Sequence, residues 1–129
     1  MTPLALRMAS RGWPGPLTLI IPASARLCSE VHLSTGRVAV RVPGDTIARA
    51  LARAAGHAIT STSANISGDP PPATPDRVAA SFGDGIDVLI DSGPTPAGLP
   101  STIVDACGDA PSLIRAGVIP WERVLEFSR

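Results

Sequence analysis

Residues 13–22 have the sequence WPGPLTLIIP, which joins a rigid turn to a short apolar segment. Pro14 and Pro16 each fix the backbone φ angle and remove an N–H donor, so these residues predict a turn. Residues 17–21 are mostly apolar and predict a strand, and Pro22 ends it because proline cannot donate to a sheet ladder. Residues 1–12, before the turn, are weakly patterned and predict a short helix.

Beyond this strand, short apolar runs alternate with segments of helical spacing. Further strands are predicted at residues 38–42, 58–62, 86–91, 102–105 and 112–115. The segments between the elements are rich in serine, proline and glycine, and they predict loops at residues 23–37, 63–73 and 93–100.

Three helices are predicted from their end signals. Asp45 is a favourable N-cap and Gly56 suits a left-handed C-terminal cap, which together bound one helix. Thr74 and Pro75 start a second helix that ends at Gly83, and a third runs from residue 120 to residue 125. The alternation of strands and helices predicts an α/β layer architecture.

The composition limits the classes of protein that fit. The chain has 129 residues, 44% hydrophobic and 17% charged, which predicts one folded domain with a packed core. Eleven basic residues balance eleven acidic ones, so net charge gives no argument for nucleic-acid or membrane binding. No apolar run approaches the roughly 20 residues of a membrane span and no signal peptide is recognised, so we expect a cytoplasmic protein.

Several kinds of site do not match the sequence. Cys28 and Cys107 are far apart and are expected to be reduced thiols, and His32 and His57 match no metal-ligand spacing. The chain has no lysine, so it has no classical phosphate-binding P-loop. No residue is predicted to act as a catalytic nucleophile, because no serine lies in a Gly-x-Ser-x-Gly frame.

Residues 60–67 (TSTSANIS) contain five hydroxyl side chains and one amide where a predicted strand meets a loop. In open α/β sheets, ligands bind beyond the carboxyl ends of strands, and such groups suit phosphate or carboxylate oxygens. Ser61, Ser63 and Asn65 are therefore candidate ligand contacts. The alternative is a polar turn whose hydroxyls bond to their own backbone.

Arginines on strands form a second group of candidates. Arg41 lies within the predicted strand at residues 38–42, and Arg115 ends the strand at residues 112–115. An arginine at such a position is costly unless it is paired or binds an anion, and its planar fork suits phosphate. Ser101 follows the loop at residues 93–100 and is a further candidate. The alternative is that both arginines face solvent.

Five motifs occur in the order seen in YrdC-like domains. They are WPGPLT at 13–18, VRVP at 40–43, TSANISG at 62–68, GLPSTIVD at 98–105 and LIRAG at 113–117. The chain thus resembles the C-terminal part of a YrdC-like domain. This resemblance implies an α/β fold with a twisted mixed sheet flanked by helices, and residues 1–129 forming a single partial domain.

The resemblance also implies an enzymatic activity. YrdC-like synthases join L-threonine, bicarbonate and ATP, normally with Mg²⁺, into threonylcarbamoyl-AMP and pyrophosphate. Partner proteins then pass the threonylcarbamoyl group to an adenosine of certain tRNAs. By this resemblance the chain is expected to be a nucleotidyltransferase that works with tRNA-modification partner proteins.

The family's functional residues are carried over by position. Ser63, Asn65, Arg115 and Arg37 are expected at ATP, although Arg37 stands where the family usually has a small polar residue. Arg41, Ser61 and Ser101 are expected to line the threonine pocket. No metal ligands are assigned.

The family's domain begins well upstream of the WPGPLT motif and includes a Lys-x-Arg segment whose cations hold the triphosphate. The sequence does not contain that segment, so we expect an incomplete synthase that is weakly active or inactive alone. One alternative is a non-catalytic module that binds nucleotide or double-stranded RNA. Others are a fragment of a HypF-type carbamoyltransferase and a product that binds no ligand.

Overall fold

The computed structural model describes residues 1–32, 35–95 and 98–129. The chain forms two compact units. The first unit comprises Met1–Ile59 and Leu99–Arg129, and the second comprises Thr60–Gly98. Residues 96 and 97, within the predicted loop at 93–100, and residues 33 and 34, within the predicted loop at 23–37, lie outside the described residues.

The first unit contains a four-stranded sheet. Its strands are β1 (Leu17–Pro22), β2 (Arg37–Val40), β3 (Thr102–Asp105) and β4 (Ser112–Arg115). Their spatial order is β2-β1-β3-β4; β1 is parallel to β3, and the two outer pairs are antiparallel. The predicted α/β class with a mixed sheet flanked by helices is confirmed.

The described part of the first unit contains four helices. They are α1 (Pro3–Gly12), α2 (Ser29–His32), α3 (Thr46–Ala55) and α5 (Trp121–Ser128). The Asp45 side chain accepts from the Ala48 N–H at the start of α3, and Gly56 adopts φ 74° at its end. These are the two caps predicted from the sequence.

The second unit contains α4 (Pro75–Phe82), which continues into a 3₁₀ turn at Gly83–Gly85. Thr74 caps α4 by accepting from the Arg77 N–H, and Pro75 occupies the first helical turn, as predicted.

The core lies between one face of the sheet and helices α1 and α5. Its fully or nearly fully buried side chains are Leu4, Ala5, Met8, Leu17, Leu19, Val104, Ala106, Val124 and Phe127. Because side chains alternate along a strand, the residues between these on β1 and β3 point to the opposite side. We call that opposite side the outer face; it carries the half-buried Thr18, Ile20, Ile103 and Asp105.

Thr102 is polar and fully buried within the first unit. Its hydroxyl donates to the Ile119 carbonyl at 2.8 Å and accepts from the Ile119 N–H at 3.0 Å. Both backbone groups of Ile119 are thereby satisfied, and the segment leading into α5 is fixed against β3.

Two predicted strands are wrong. Residues 58–62 and 86–91 are not assigned to any strand, and within the described chain no backbone hydrogen bond pairs them with a neighbour. Their apolar side chains remain exposed: Ile59, Leu89 and Ile90 by 42–50%, and Val88 by 75%. The apolar pattern was that of strands, but a strand also needs a partner to complete its hydrogen bonds.

Further boundaries also differ from the prediction, and the helix predicted at residues 120–125 spans Trp121–Ser128. The strand predicted at residues 38–42 starts at Arg37 and ends at Val40, so Arg41 follows the strand instead of lying inside it. Beyond Val40 the opposing segment contains Pro14 and Pro16, which have no N–H to continue the ladder. The predicted loop at 23–37 also contains the four-residue helix α2.

Within the described ranges, no helix is both long enough and apolar enough to cross a membrane.

Leu19→Ala tests the core. Leu19 is fully buried, so the substitution should lower the free energy of unfolding by about 2–5 kcal/mol through lost burial and a cavity. Leu6→Ala is the matched control, because Leu6 is 56% exposed on α1 and should cost under about 0.5 kcal/mol. Urea unfolding measures both, and equal losses would contradict this description of the core.

Candidate functional site

Ser101 and Arg115 are brought together at one end of the sheet. Ser101 immediately precedes β3, and Arg115 is the last residue of β4. The Arg115 guanidinium donates to the Ser101 carbonyl from Nε at 3.3 Å and from Nη2 at 2.9 Å. Nη2 also donates to the Ser101 hydroxyl at 3.1 Å. The arginine is therefore oriented by hydrogen bonds to both the backbone and the side chain of one residue.

Thr18 completes this cluster from the neighbouring strand. Its Oγ1 lies 2.8 Å from the Ser101 Oγ, although the two residues are 83 positions apart in the sequence. The parallel register pairs Thr18 with Ile103 and so places it beside the start of β3. A bond from the Thr102 N–H to the Pro16 carbonyl, 3.0 Å long, fixes the same end. We call Thr18, Ser101 and Arg115 the hydroxyl–arginine cluster.

Gly117 allows the chain to pass close to Ser101. A Cβ at this position would lie 2.3 Å from the Pro100 carbonyl oxygen and 2.5 Å from the Ser101 carbonyl carbon. Both neighbours are backbone atoms, which cannot rotate away as a side chain could. The next residue, Val118, donates its N–H to the Pro100 carbonyl at 3.0 Å. Glycine is thus required at this position of the LIRAG motif, because the backbone at residue 117 passes close to the backbone at residues 100–102.

Arg41 holds the proline-rich turn against the end of β2. Its Nε donates to the Gly15 carbonyl at 3.0 Å, and the Gly15 N–H donates to the Val42 carbonyl at 2.9 Å. Leu19 pairs with Val40 in the antiparallel register. One position further along, Thr18 and Arg41 therefore lie across from each other. Arg41 is exposed, so its remaining N–H groups are accessible to solvent or to a ligand.

Arg37 and Asp105 form an ion pair on the outer face, with Nη1 and Oδ2 2.6 Å apart. They border an open cavity of about 540 Å³, which is lined by Ile20, Thr35, Arg37, Ala39, Asp105 and Ile114. The lining combines apolar side chains with one cation, one carboxylate and one hydroxyl. Such a surface suits a ligand with both apolar and charged parts.

The pKa of Asp105 is below its ordinary value. The main cause is the Cys107 backbone N–H, which donates to Oδ1 at 2.9 Å, and the positive charge of Arg37 acts in the same direction. Both interactions favour the ionised carboxylate. Partial burial, with the nearby Asp105 carboxylate as a second cause, raises the pKa of the Cys107 thiol. Cys107 is thus a poor nucleophile near neutral pH.

Ser61, Ser63 and Asn65 belong to the second unit. The Asn65 side-chain amide donates to the carbonyls of Ile66 at 2.9 Å and Asp69 at 2.8 Å, which closes the loop. Its Oδ1 is buried and finds no donor within the described part of the chain. Ser61 and Ser63 are exposed.

The alternative for this segment, a turn that bonds to itself, describes part of it. Ala64 has a positive φ of 54°, and its N–H donates to the Thr62 hydroxyl at 3.3 Å. The Ser61 and Ser63 hydroxyls have no such bond among the described residues, so they are available to a ligand.

Acidic and sulfur ligands do not form a metal centre in residues 1–32, 35–95 and 98–129. Asp91 accepts from the Gly93 N–H at 2.7 Å, and Asp105 is engaged by Arg37 and Cys107. The described residues therefore do not fit a Mg²⁺ ion held by a set of protein carboxylates.

Two residues of this site had no predicted role. Thr18 is a hydroxyl in an otherwise apolar strand, and that break in pattern was the signal available in the sequence. Gly117 lies within a recognised motif, but its close approach to residues 100–102 depends on a chain crossing that no local pattern shows.

Gly117→Ala tests the close approach. The added methyl would overlap the backbone at residues 100–102, so unfolding free energy should fall by about 1–3 kcal/mol. Gly108→Ala is the matched control, since a Cβ there meets nothing within 4 Å. Thermal and urea unfolding report both changes. Two variants of equal stability would show that the chain does not cross Ser101 as described.

Asp105→Asn tests the pKa shift. Because the folded pKa lies below the ordinary 3.8, the carboxylate stabilises the fold above that pH, and this stability is lost as the pH falls through the folded value. The variant should be less stable at pH 7, and its stability should fall less steeply between about pH 5 and pH 2. Arg37→Gln retains the Cys107 bond and should give an intermediate profile. Parallel wild-type and Asp105→Asn profiles would contradict the shift.

Comparison with known proteins identifies relatives whose matched region includes all four strands of the sheet. The model of the Sua5/YciO/YrdC family, described as "Telomere recombination", matches residues 1–117. The threonylcarbamoyl-AMP synthase of Pyrococcus abyssi is 39% identical over 117 residues, 91% of this chain and 34% of the relative. The synthase of Bacillus subtilis is 38% identical over 121 residues, 93% of this chain and 35% of the relative.

A solved structure shares the fold. The crystal structure of P. abyssi Sua5 complexed with L-threonine superposes with a TM-score of 0.90 at 37% identity, covering 98% of this chain and 37% of that one. The chain thus spans about a third of the length of these relatives. On the family match and these identities, the chain belongs to the Sua5/YciO/YrdC family.

Proposed function

We propose that this chain takes part in L-threonylcarbamoyladenylate synthesis, in which L-threonine, bicarbonate and ATP give threonylcarbamoyl-AMP and pyrophosphate. The names of the relatives and the L-threonine in the P. abyssi structure support this proposal. The observation that carries it is the hydroxyl–arginine cluster, where a serine hydroxyl and an arginine fork meet on the outer face.

In the first unit, Ser101 and Arg41 are proposed to bind the carboxylate of L-threonine; Ser61, in the second unit, is proposed as a threonine contact from the family resemblance alone. A hydroxyl and a guanidinium both donate hydrogen bonds, and both suit the carboxylate of an amino acid. Arg41 uses Nε for the Gly15 carbonyl, which leaves its two terminal nitrogens for an anion. Ser61 is exposed, so its hydroxyl is accessible to solvent or to a ligand.

In the first unit, Arg115 and Arg37 are proposed to contact the ATP phosphates; Ser63 and Asn65, in the second unit, are proposed as ATP contacts from the family resemblance alone. Nη1 of Arg115 has no hydrogen-bond partner among the described residues, so its two N–H groups can face phosphate oxygens. Arg37 shares its charge with Asp105 and would contact phosphate at the edge of the cavity. Asn65 would serve mainly by shaping the loop that presents Ser63.

The chemistry needs stabilisation of charge more than a protein nucleophile. The threonine amine and bicarbonate form a carbamate with loss of water. A carbamate oxygen then bonds to the α-phosphorus of ATP, and the bond to pyrophosphate breaks. Arginines and hydroxyls aligned on the phosphates lower the cost of charge that develops on these oxygens. Mg²⁺ is proposed as part of the Mg·ATP substrate.

The product would serve tRNA modification in the cytoplasm. Threonylcarbamoyl-AMP is a mixed anhydride, so a partner protein could transfer its threonylcarbamoyl group to a tRNA adenosine and release AMP. A module that binds nucleotide or double-stranded RNA without catalysis is the competing function. It would leave the same arginines occupied by phosphate but release no pyrophosphate.

Pyrophosphate release tests the proposed function. The chain and a form extended upstream with the family's Lys-x-Arg segment would receive Mg·ATP and bicarbonate, with and without L-threonine. Threonine-dependent release is expected at least from the extended form. Arg115→Lys keeps the positive charge but lacks the planar guanidinium that can bind phosphate through two N–H groups. It should reduce the rate of pyrophosphate release at least about ten-fold.

Arg53→Lys is the matched control for Arg115→Lys, because Arg53 lies in the last turn of α3, outside the cluster. It should retain the rate of its parent. ATP binding without release from either form would instead favour the non-catalytic module, and release that ignores L-threonine would exclude the synthase.

A further inference from the structure

Thr18 is the member of the hydroxyl–arginine cluster to which neither the sequence patterns nor the resemblance assigns a role. We propose that Thr18 is a positioning residue: its hydroxyl donates to the Ser101 Oγ and turns the Ser101 proton towards a ligand carboxylate. The proposal rests on the proposed function, since it explains how the threonine subsite selects a ligand that carries a carboxylate.

The direction of the hydrogen bonds follows from counting donors and acceptors. A hydroxyl has one proton and two acceptor positions. Arg115 can only donate, so its Nη2 contact fills one acceptor position of the Ser101 Oγ. If Thr18 also donates, both acceptor positions are filled and the Ser101 proton must point elsewhere.

The opposite direction is less favourable when an anion is bound. If Ser101 donated to Thr18, no proton would remain on Ser101 for a carboxylate, and a lone pair would face the negative charge. An anionic ligand therefore selects the arrangement in which Thr18 donates. A chain of hydrogen bonds that run in one direction also polarises each member, which makes Ser101 a stronger donor.

The backbone around the cluster holds this geometry. Thr18 is fixed by the parallel pairing of β1 with β3, and Ser101 is fixed by Arg115 and by the crossing at Gly117. Rotation of the two hydroxyl protons is the main freedom left. Thr18 therefore determines whether Ser101 presents its proton or a lone pair to the ligand, and it does so without touching the ligand.

The proposal predicts a particular pair of substitutions. Thr18→Val keeps the branched shape and removes the hydroxyl, whereas Thr18→Ser keeps the hydroxyl and removes the methyl group. L-threonine binding to the full chain, measured by titration calorimetry, should weaken about two- to ten-fold in Thr18→Val. Thr18→Ser should restore it to near the wild-type value. Ser10→Ala on α1, remote from the outer face, should bind like wild type.

L-Threoninamide identifies the group that Ser101 recognises, because it replaces the carboxylate with a neutral amide of similar shape. Wild type should prefer L-threonine to L-threoninamide, and Thr18→Val should reduce that preference. A Thr18→Val variant with undiminished affinity and preference would overturn the proposal. A loss that Thr18→Ser does not rescue would also overturn it.

A second readout separates this inference from the proposed function. The NMR resonance of the Arg115 side-chain Nε–H reports the cluster without any ligand. It should shift in Thr18→Val and stay near its wild-type position in Thr18→Ser. If wild type binds no L-threonine, the proposed function fails. An Nε–H resonance unchanged in Thr18→Val would show that the cluster itself is absent and would overturn the positioning role.

Discussion

The parallel pairing of β1 with β3 is the interaction on which the candidate site depends. It joins Leu17 to Thr102 and Ile20 to Asp105 across most of the chain, and it orients both faces of the sheet at once. On one face Leu17, Leu19 and Val104 pack beneath α1 and α5. On the other face the same register sets Thr18 beside Ser101. A shift of one residue would bury the hydroxyls and expose the leucines, so burial of the core enforces the geometry of the cluster.

The cluster illustrates how backbone constraints prepare polar side chains for binding. Ser101 is held through its carbonyl by Arg115, and the glycine at 117 lets the returning chain cross beside it. The Arg37–Asp105 pair has a similar effect at the cavity, where the Cys107 N–H keeps the carboxylate ionised. These interactions limit motion before a ligand arrives, which reduces the ordering cost of binding.

Local signals predicted much of the fold. The caps at Asp45, Gly56 and Thr74 were predicted correctly, because each depends on neighbours within a few residues. Residues 58–62 and 86–91 were predicted as strands and are not, because pairing depends on distant partners that periodicity does not reveal. The hydrogen bonds between Arg115 and Ser101 depend on the tertiary pairing of strands. Both residues could therefore be predicted as site candidates from the sequence, but their contact could not. Thr18 and Gly117 were not predicted as site residues for the same reason.

Chemical-shift mapping tests most directly the claim that the amino-acid substrate binds at Ser101 on the outer face. L-Threonine would be added to the ¹⁵N-labelled chain while the backbone amide resonances are followed. We expect the largest shifts at Thr18, Arg41 and Ser101, with little change at Met8 on α1 or Val124 on α5. Shifts confined to the helix-covered side, or none at saturating L-threonine, would contradict the claim.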